Sequence, residues 1–248
     1  MNYIKSANLP QNDVTTVFLS DIDNSVISAL ESMGIKTVPP PVAKYLPKEI
    51  NYHADMCLLH LGGNVVLCSE FNADFHEHLI KCGISPTYLL DKLGQTYPYD
   101  VLLNVCFLKN KLICNKKTCD PSIVTYAVNN GFKVIDVNQG YTKCSIAVVD
   151  ENSIITSDKG IAKECEKHDV DCLLIAPGQI ELEGYEYGFI GGTCGKIAKD
   201  KIFFTGDINM HSDSERIAQF LKQKDVEPIF IKGKPLVDIG GILPIIEH

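Results

Sequence analysis

The chain has 248 residues, of which 45% are apolar and 22% charged, and its 31 acidic and 23 basic residues give a formal net charge of −8. The composition is typical of a globular protein, and the acidic balance argues against a nucleic-acid-binding protein, whose phosphate-contacting surface would be basic. No apolar run approaches the roughly 18–20 residues of a membrane span and no signal peptide is recognisable at the start, so we expect a cytoplasmic protein without membrane contact.

In chain order, the sequence repeats one series of elements: an apolar strand, a polar turn, a second strand, a capped amphipathic helix and a third strand. The N-terminal stretch shows only the end of this series, a helix over 24–33 and a strand over 34–38. Four complete copies follow, with hairpin turns at Gly63-Asn64, Lys109-Asn110, Glu151-Asn152 and Lys199-Asp200. Helix starts recur every 37–55 residues or so, roughly the period of propellers and arrays.

Capping residues delimit the predicted helices. In the copy whose first strand is predicted over 101–108, Asp120 and Pro121 predict a helix N-terminus and Gly131 its end. In the last copy, Ser212 and Glu215 have the spacing of a capping box. The remaining first strands are predicted over 55–59, 144–149 and 191–197, and the remaining helices over about 70–81 and 158–167.

The apolar C-terminal tail, 236–246, can supply the strands that the first copy lacks. If it pairs there, five units close into a ring without an open sheet edge, and residues 1–248 form a single domain. The alternative is an ordinary α/β sheet with unequal crossovers. Two independent domains are less favoured, because no linker-like stretch interrupts the pattern.

The ten cysteines are predicted to be reduced and mostly buried, since they lie in apolar runs and form no C-x-x-C pair. Cys114 and Cys119 are the one close pair, and no second pair or histidine cluster completes a zinc site. His76 and His78 are two positions apart and fall on different faces of a helix. We therefore predict neither a metal site nor a cofactor.

Five ββαβ units with a tail that completes the first resemble the pentein fold of the guanidino-group-modifying enzymes. This superfold includes arginine deiminases, dimethylarginine hydrolases and amidinotransferases, with a non-catalytic ribosome anti-association factor as a structural relative. The resemblance covers nearly the whole chain in organisation but only short segments in sequence. It implies a five-fold pseudo-symmetric α/β propeller and looks closest to an uncharacterised branch of the superfold.

The resemblance implies a catalytic cysteine, a histidine acid/base and carboxylates that hold the planar cation. The family's acid in the second unit corresponds to Asp55, which is equally explained as a solvated strand cap. In the third unit the family's Gly-Gly-Asp acid aligns with Asn104, and Asp100 is a nearby substitute. Asp238 lies at a corresponding place in the tail.

Two parts of this chemistry do not match. The dimethylarginine-hydrolase segment His-Leu-Lys-Ser resembles the segment from Tyr141 to Cys144, so that tyrosine replaces the histidine. The family's terminal cysteine falls on Leu243 or Pro244. The sequence therefore leaves open whether the protein is an enzyme.

Other residues could replace the missing groups. Cys144 and Cys194 occupy strand positions equivalent to Asp55 and Asn104, and Cys194 with His53 across the ring is a candidate relocated pair. A packed free thiol is the simpler interpretation of each cysteine.

The sequence thus predicts a pentein that binds a small cationic guanidino or amino-acid-like molecule in a central polar channel, with amidine hydrolase or transferase activity of a non-standard kind. The alternative is a non-catalytic binding or assembly module of the same fold.

Overall fold

In a computed structural model, which describes residues 2–248, the strands form five small sheets. The strands are β1 Asn2–Tyr3, β2 Val14–Phe18, β3 Lys36–Val38, β4 Leu58–Gly62, β5 Val65–Cys68, β6 Ser85–Tyr88, β7 Cys106–Phe107, β8 Lys111–Cys114, β9 Lys133–Asp136, β10 Ala147–Asp150, β11 Ser153–Thr156, β12 Asp171–Leu174, β13 Cys194–Ala198, β14 Lys201–Phe204, β15 Glu227–Phe230 and β16 Leu243–Glu247. The helices are α1 Asn24–Ser32, α2 Ala54–Cys57, α3 Ala73–Lys81, α4 Pro121–Asn129, α5 Lys159–Glu166 and α6 Ser214–Gln223.

Each sheet follows the same rule. The first two strands of a unit form an antiparallel hairpin, as β4 and β5 do, and the second strand pairs in parallel with the third after a helical crossover, as β5 and β6 do. The hairpin turns are those predicted from the polar dipeptides, and they are confirmed. The parallel pair requires a crossover, which is why a helix recurs in every unit.

The tail completes the first unit, as predicted. Strand β16 pairs antiparallel with β2, and β2 pairs in parallel with β3, so that the first sheet repeats the order of the other four. Strand β1 extends this sheet on the other side of β16. The N-terminal stretch nevertheless contributes more than predicted, because β2 was not recognised from the short, half-polar run Val14–Phe18. The closure of the units into a ring stays a prediction.

The first strands of the units start later than predicted. Residues 54–57 form the helical turn α2, and the strand begins only at Leu58. Residues 101–105 and 144–146 likewise lie outside the strands, with turns at 102–103 and 142–145, and a 3₁₀ turn, Ile190–Thr193, precedes β13. Short apolar runs have too little periodicity to separate a turn from a strand. As a result, Asp55, Asn104 and Cys144 lie before the strands, at the heads of the units.

The capping box predicted at Ser212 is wrong. Helix α6 starts at Ser214 with Asp213 at the N-cap position. The hydroxyl of Ser212 accepts a hydrogen bond from Gln179, and the carboxylate of Asp213 accepts one from the amide of Ala176 at 2.6 Å. Contacts with the preceding loop therefore set this helix start, whereas the Asp120 cap and Pro121 start of α4 are confirmed.

No helix within residues 2–248 is both long and apolar enough to cross a membrane.

The buried face of β16 gives the first prediction. Ile245 is fully buried in a core cluster with Phe18 and Met56, whereas Ile80 on α3 is 53% exposed. We expect Ile245→Ala to lower the free energy of unfolding by about 2–5 kcal/mol through the cavity it leaves, and Ile80→Ala to change it by less than about 1 kcal/mol. Urea denaturation of both variants measures the difference, and equal losses would contradict the role assigned to β16.

A buried histidine gives the second prediction. His60 is 5% exposed, its Nε2 lies 2.9 Å from the carbonyl oxygen of Gly63, and burial lowers its pKa to about 4. The unfolded chain binds this proton near pH 6.5 and the folded chain does not, so stability is lost as the pH falls from 6.5 towards 4.

We expect His60→Gln, which keeps a side-chain N–H donor, to remove up to about 3 kcal/mol of this acid sensitivity. The control is His248→Gln at an exposed position. Urea midpoints measured from pH 4 to 7.5 test it; an unchanged pH slope in His60→Gln would count against the prediction.

Candidate functional site

A cavity of about 280 Å³ opens beside the turns at the heads of the units. The side chains of His53, Tyr141, Cys144 and Asp238 form one part of its wall. Aromatic, apolar and acidic side chains form the rest: Tyr185, Tyr187, Phe189, Ile50, Met56, Leu182 and Glu186. The turns of the second and fourth units, the tail and the segment between β12 and β13 thus meet at one place.

Three of the predicted site residues form a buried cluster. The thiol of Cys144 donates to Oδ2 of Asp55 at 3.1 Å, and the amide N–H of Cys144 donates to Oδ1 of Asn104 at 3.1 Å. The side-chain nitrogen of Asn104 lies 3.0 Å from the Cys144 sulfur and donates to the backbone carbonyl of Asp55 at 3.2 Å. Cys144 forms part of the cavity wall, and Asp55 and Asn104 lie behind it.

The Cys144 thiol is protonated in this environment. Burial raises its pKa well above the usual value, and the negative charges of Asp55 and Asp238 raise it further. The hydrogen bond from Asn104 acts in the opposite direction but is the smaller effect. Since the thiolate is the nucleophile, this raised pKa disfavours the reactive form of Cys144, and a nearby positive charge would oppose the effect of the carboxylates.

Asp238 and His53 form the second polar pair of the wall. Nδ1 of His53 lies 3.8 Å from Oδ1 of Asp238, and both side chains are 2% exposed. The carboxylate of Asp238 also accepts from the amides of Phe189, at 2.9 Å, and Gly240, at 3.0 Å. Burial raises the pKa of Asp238, while the charge of His53 and the two amides lower it. Nε2 of His53 has no hydrogen-bond partner in the described part of the chain.

Gly240 links the pair of Asp238 and His53 to the turn that carries Asp55. Its amide donates to Asp238, and its carbonyl accepts from the amide of Asp55 at 3.1 Å. Its φ of +80° is unfavourable for other residues, and a Cβ atom here would collide with His53. The glycine-rich turn of the tail therefore fixes the spacing between Asp238 and the turn that carries Asp55.

Asp100 acts on the cavity through Tyr141. The Tyr141 hydroxyl donates to Oδ2 of Asp100. Burial raises the pKa of both groups, and the hydrogen bond raises that of Tyr141 and lowers that of Asp100. Tyr141 also stacks on Phe189, with ring centroids 6.0 Å apart. Tyr141 is thus held as a neutral ring in the wall.

The structure does not bring Cys194 to the cavity. Its thiol donates to the carbonyl of Ile190 at 3.4 Å and is packed in a core cluster at the start of β13. Burial raises its pKa to about 12. Of the two cysteines singled out in the sequence, Cys144 is therefore the one that shares a cavity with His53.

Sequence reasoning missed the aromatic side of the cavity. Tyr185, Tyr187 and Phe189 belong to an irregular segment between β12 and β13, where no periodicity marks an element. The available signal was composition, because residues 183–189 contain three aromatic and two acidic side chains.

Among residues 2–248, no group of three or more His, Cys, Asp or Glu side chains is arranged to hold a metal ion.

A family model described as a family of unknown function, DUF6873, matches residues 18–243. A comparison with curated proteins found no matching sequence. Among solved structures, the chain is similar to the inosamine-phosphate amidinotransferase of Streptomyces griseus, with a TM-score of 0.61, 9% identity and coverage of 98% of this chain and 97% of that one.

Two further structures show the same likeness. An amidinotransferase of the saxitoxin biosynthetic pathway from Microseira wollei has a TM-score of 0.56 and 10% identity, covering 92% of this chain and 91% of the other. A mutant dimethylarginine dimethylaminohydrolase from Pseudomonas aeruginosa, complexed with citrulline, has a TM-score of 0.57 and 9% identity, covering 94% and 100%. These enzymes are penteins, so the fold expected from the resemblance is confirmed.

The thiol cluster gives a third prediction. Asp55→Asn removes the negative charge that faces the Cys144 thiol, and we expect the pKa of Cys144 to fall. Alkylation of Cys144 by iodoacetamide at neutral pH should then be about tenfold faster, measured peptide by peptide with mass spectrometry.

Asp74→Asn, at an exposed position on α3, is the matched control and should leave the rate unchanged. The alkylation rate of Cys165, a buried thiol whose pKa the charge of Asp55 does not affect, reports whether Asp55→Asn has loosened the fold as a whole. Equal Cys144 rates in the parent protein and in Asp55→Asn would show that the carboxylate does not control this thiol.

Proposed function

The chain belongs to DUF6873, a family of unknown function, so its activity has to be inferred from its own residues, and we propose that it binds a small guanidino cation in the cavity. In this proposal Asp238 is the counter-charge of the cation, and Tyr141 and Phe189 are its aromatic faces. Cys144 and His53 lie at the same end of the ligand.

The charge of the cavity wall supports a cation. Asp238 and Glu186 line it, Asp55 lies directly behind Cys144, and none of the lining residues is a lysine or an arginine. An incoming cation would favour the ionised form of Asp238 against the burial that raises its pKa. The same cation would lower the pKa of Cys144.

The aromatic side chains support a planar cation. Tyr141 and Phe189 stack with 24° between their planes, and Tyr187 meets Phe189 edge-on with ring centroids 6.4 Å apart. Guanidinium groups stack on aromatic faces and are attracted by their quadrupole, and a carboxylate can hold their N–H edge. At about 280 Å³, the cavity fits a small molecule.

One observation favours a second candidate function, amidine hydrolase or transferase chemistry. Cys144 and His53 line the same cavity, and a nucleophilic thiol with an acid/base group is what attack on a guanidinium carbon requires. The solved structures that the fold resembles include amidinotransferases. Both candidate functions therefore use the same part of the cavity, where His53, Cys144 and Asp238 lie.

The proposed step balances as follows. With the cation bound, the Cys144 proton passes to Asp55, which its thiol already faces, and the sulfur forms a bond to the guanidinium carbon. A carbon–nitrogen bond then breaks, and the departing amine takes the electron pair and a proton from the His53 imidazolium. Water or an acceptor amine completes the reaction by displacing the thiol.

The fourth prediction tests binding by calorimetry with butylguanidine. Asp238→Asn removes the counter-charge, and we expect it to weaken binding at least about tenfold. Asp21→Asn, at an exposed position, should bind like the parent protein. Thermal melting of both variants verifies that the fold is intact.

Removing an aromatic face provides an independent variant. Phe189→Leu should weaken binding about threefold to tenfold, while Phe71→Leu, where the ring is 64% exposed, should not. If the parent protein shows no heat of binding with butylguanidine at millimolar concentration, the proposed function is wrong.

Turnover distinguishes the two candidate functions. Release of an amine or ammonia from a guanidine by the parent protein, lost in Cys144→Ala while binding persists, identifies an enzyme. Binding without turnover identifies a non-catalytic binding protein of the same fold.

A further inference from the structure

We infer that the cavity selects guanidino compounds that lack a carboxylate and prefers those with a second positive charge at the far end, an inference that rests on the proposed function. Glu186 is the residue that sets this preference. It places this protein's ligand among aminoalkylguanidine-like dications and excludes free α-amino acids.

Among the described residues, the cavity wall offers no free cationic group to a carboxylate of the ligand. His53, the one group of the wall that can become cationic, already faces Asp238 at 3.8 Å. Lys143 precedes Cys144 in sequence but is absent from this wall and lines a separate small cavity. A carboxylate in the ligand would therefore find no counter-charge in the described part of this wall and would meet the like charge of Glu186, an arrangement that disfavours binding.

One side of the cavity is acidic. Glu186 lines it directly. Behind this segment, the side chain of Glu49 packs against Gly184, whose φ is +80° and where a Cβ atom would lie 2.6 Å from Cγ of Glu49. The charge of Glu49 also acts on the cavity wall. Burial is the main cause that raises the pKa of Tyr185, and the charges of Glu49 and Asp100 raise it further.

Glu183 adds to the same field. The pKa of Tyr52 is raised by burial and then by the charges of Glu183 and Glu49. This acidic rim, defined as Glu49, Glu183 and Glu186, attracts a second cation and repels a carboxylate.

The cavity also contains a buried polar atom without a hydrogen-bond partner in the described part of the chain, which a merely acidic surface would not have. His53 is 2% exposed, lines the cavity and has an Nε2 atom without a partner among residues 2–248. A buried polar atom of this kind needs a hydrogen-bond partner, which a ligand at the Asp238 end supplies. Asp238, which is 2% exposed, and Glu186, which is exposed, thus give a buried and a surface position for positive charge in one cavity.

The test compares four ligands by calorimetry at low ionic strength: butylguanidine, 4-aminobutylguanidine, arginine and argininamide. They share the guanidinium and differ by an ammonium, a carboxylate or its neutral amide. We expect 4-aminobutylguanidine to bind at least about tenfold more tightly than arginine, and argininamide to recover most of that difference.

Glu186→Gln isolates the contribution of the rim. It should weaken the binding of 4-aminobutylguanidine about tenfold and that of butylguanidine by no more than about threefold. Glu31→Gln, on the exposed face of α1, should change the affinity for neither ligand. Arginine binding as tightly as 4-aminobutylguanidine overturns this inference and leaves the proposed function standing. Failure of all four ligands overturns the proposed function itself.

Discussion

The pairing of β16 with β2 is the interaction on which both the fold and the cavity depend. The first sheet is complete only when the tail returns to the N-terminal stretch, because the hairpin partner of β2 comes from the other end of the chain. On its way the tail crosses the last unit, where the amides of Ile239 and Gly241 donate to the carbonyl of Gly192 at 3.0 and 2.9 Å. The same segment carries Asp238 into the cavity and places Gly240 against the turn of Asp55. The same segment of the chain therefore completes both the first sheet and the cavity wall.

The fold was largely predictable, since its signals are local and repeated. Polar dipeptides between apolar runs located the hairpin turns, and Asp120 with Pro121 located a helix start, because each depends on a few neighbouring residues. What could not be predicted depends on distant contacts. Strand β2 has no hairpin partner nearby in sequence, and the N-terminus of α6 is set by Gln179 and Ala176 in a preceding loop.

The candidate site was predictable where it follows the repeat. Counting from the hairpin turns singled out Asp55, Asn104 and Cys144, and the structure brings these three into one cluster. The same count made Cys194 look equivalent, but β13 begins at that residue and its thiol is packed in the core instead of at a turn. The aromatic wall escaped prediction because its residues lie outside the repeating elements. A repeat therefore predicts the positions that symmetry makes equivalent and misses those contributed by an insertion between units.

The order in which the chain is synthesised gives the β16 pairing a further meaning. Thr15 and Ile246 are bonded partners 231 residues apart, so at 5–20 residues per second the edge of β2 waits on the order of 10–50 s for its partner. During that time an unpaired strand edge is exposed to other nascent chains. A chain interrupted before the tail lacks both β16, the antiparallel partner of β2, and Asp238, one of the side chains that line the cavity. The first sheet and the wall of the cavity are therefore complete only in chains whose synthesis has passed through β16.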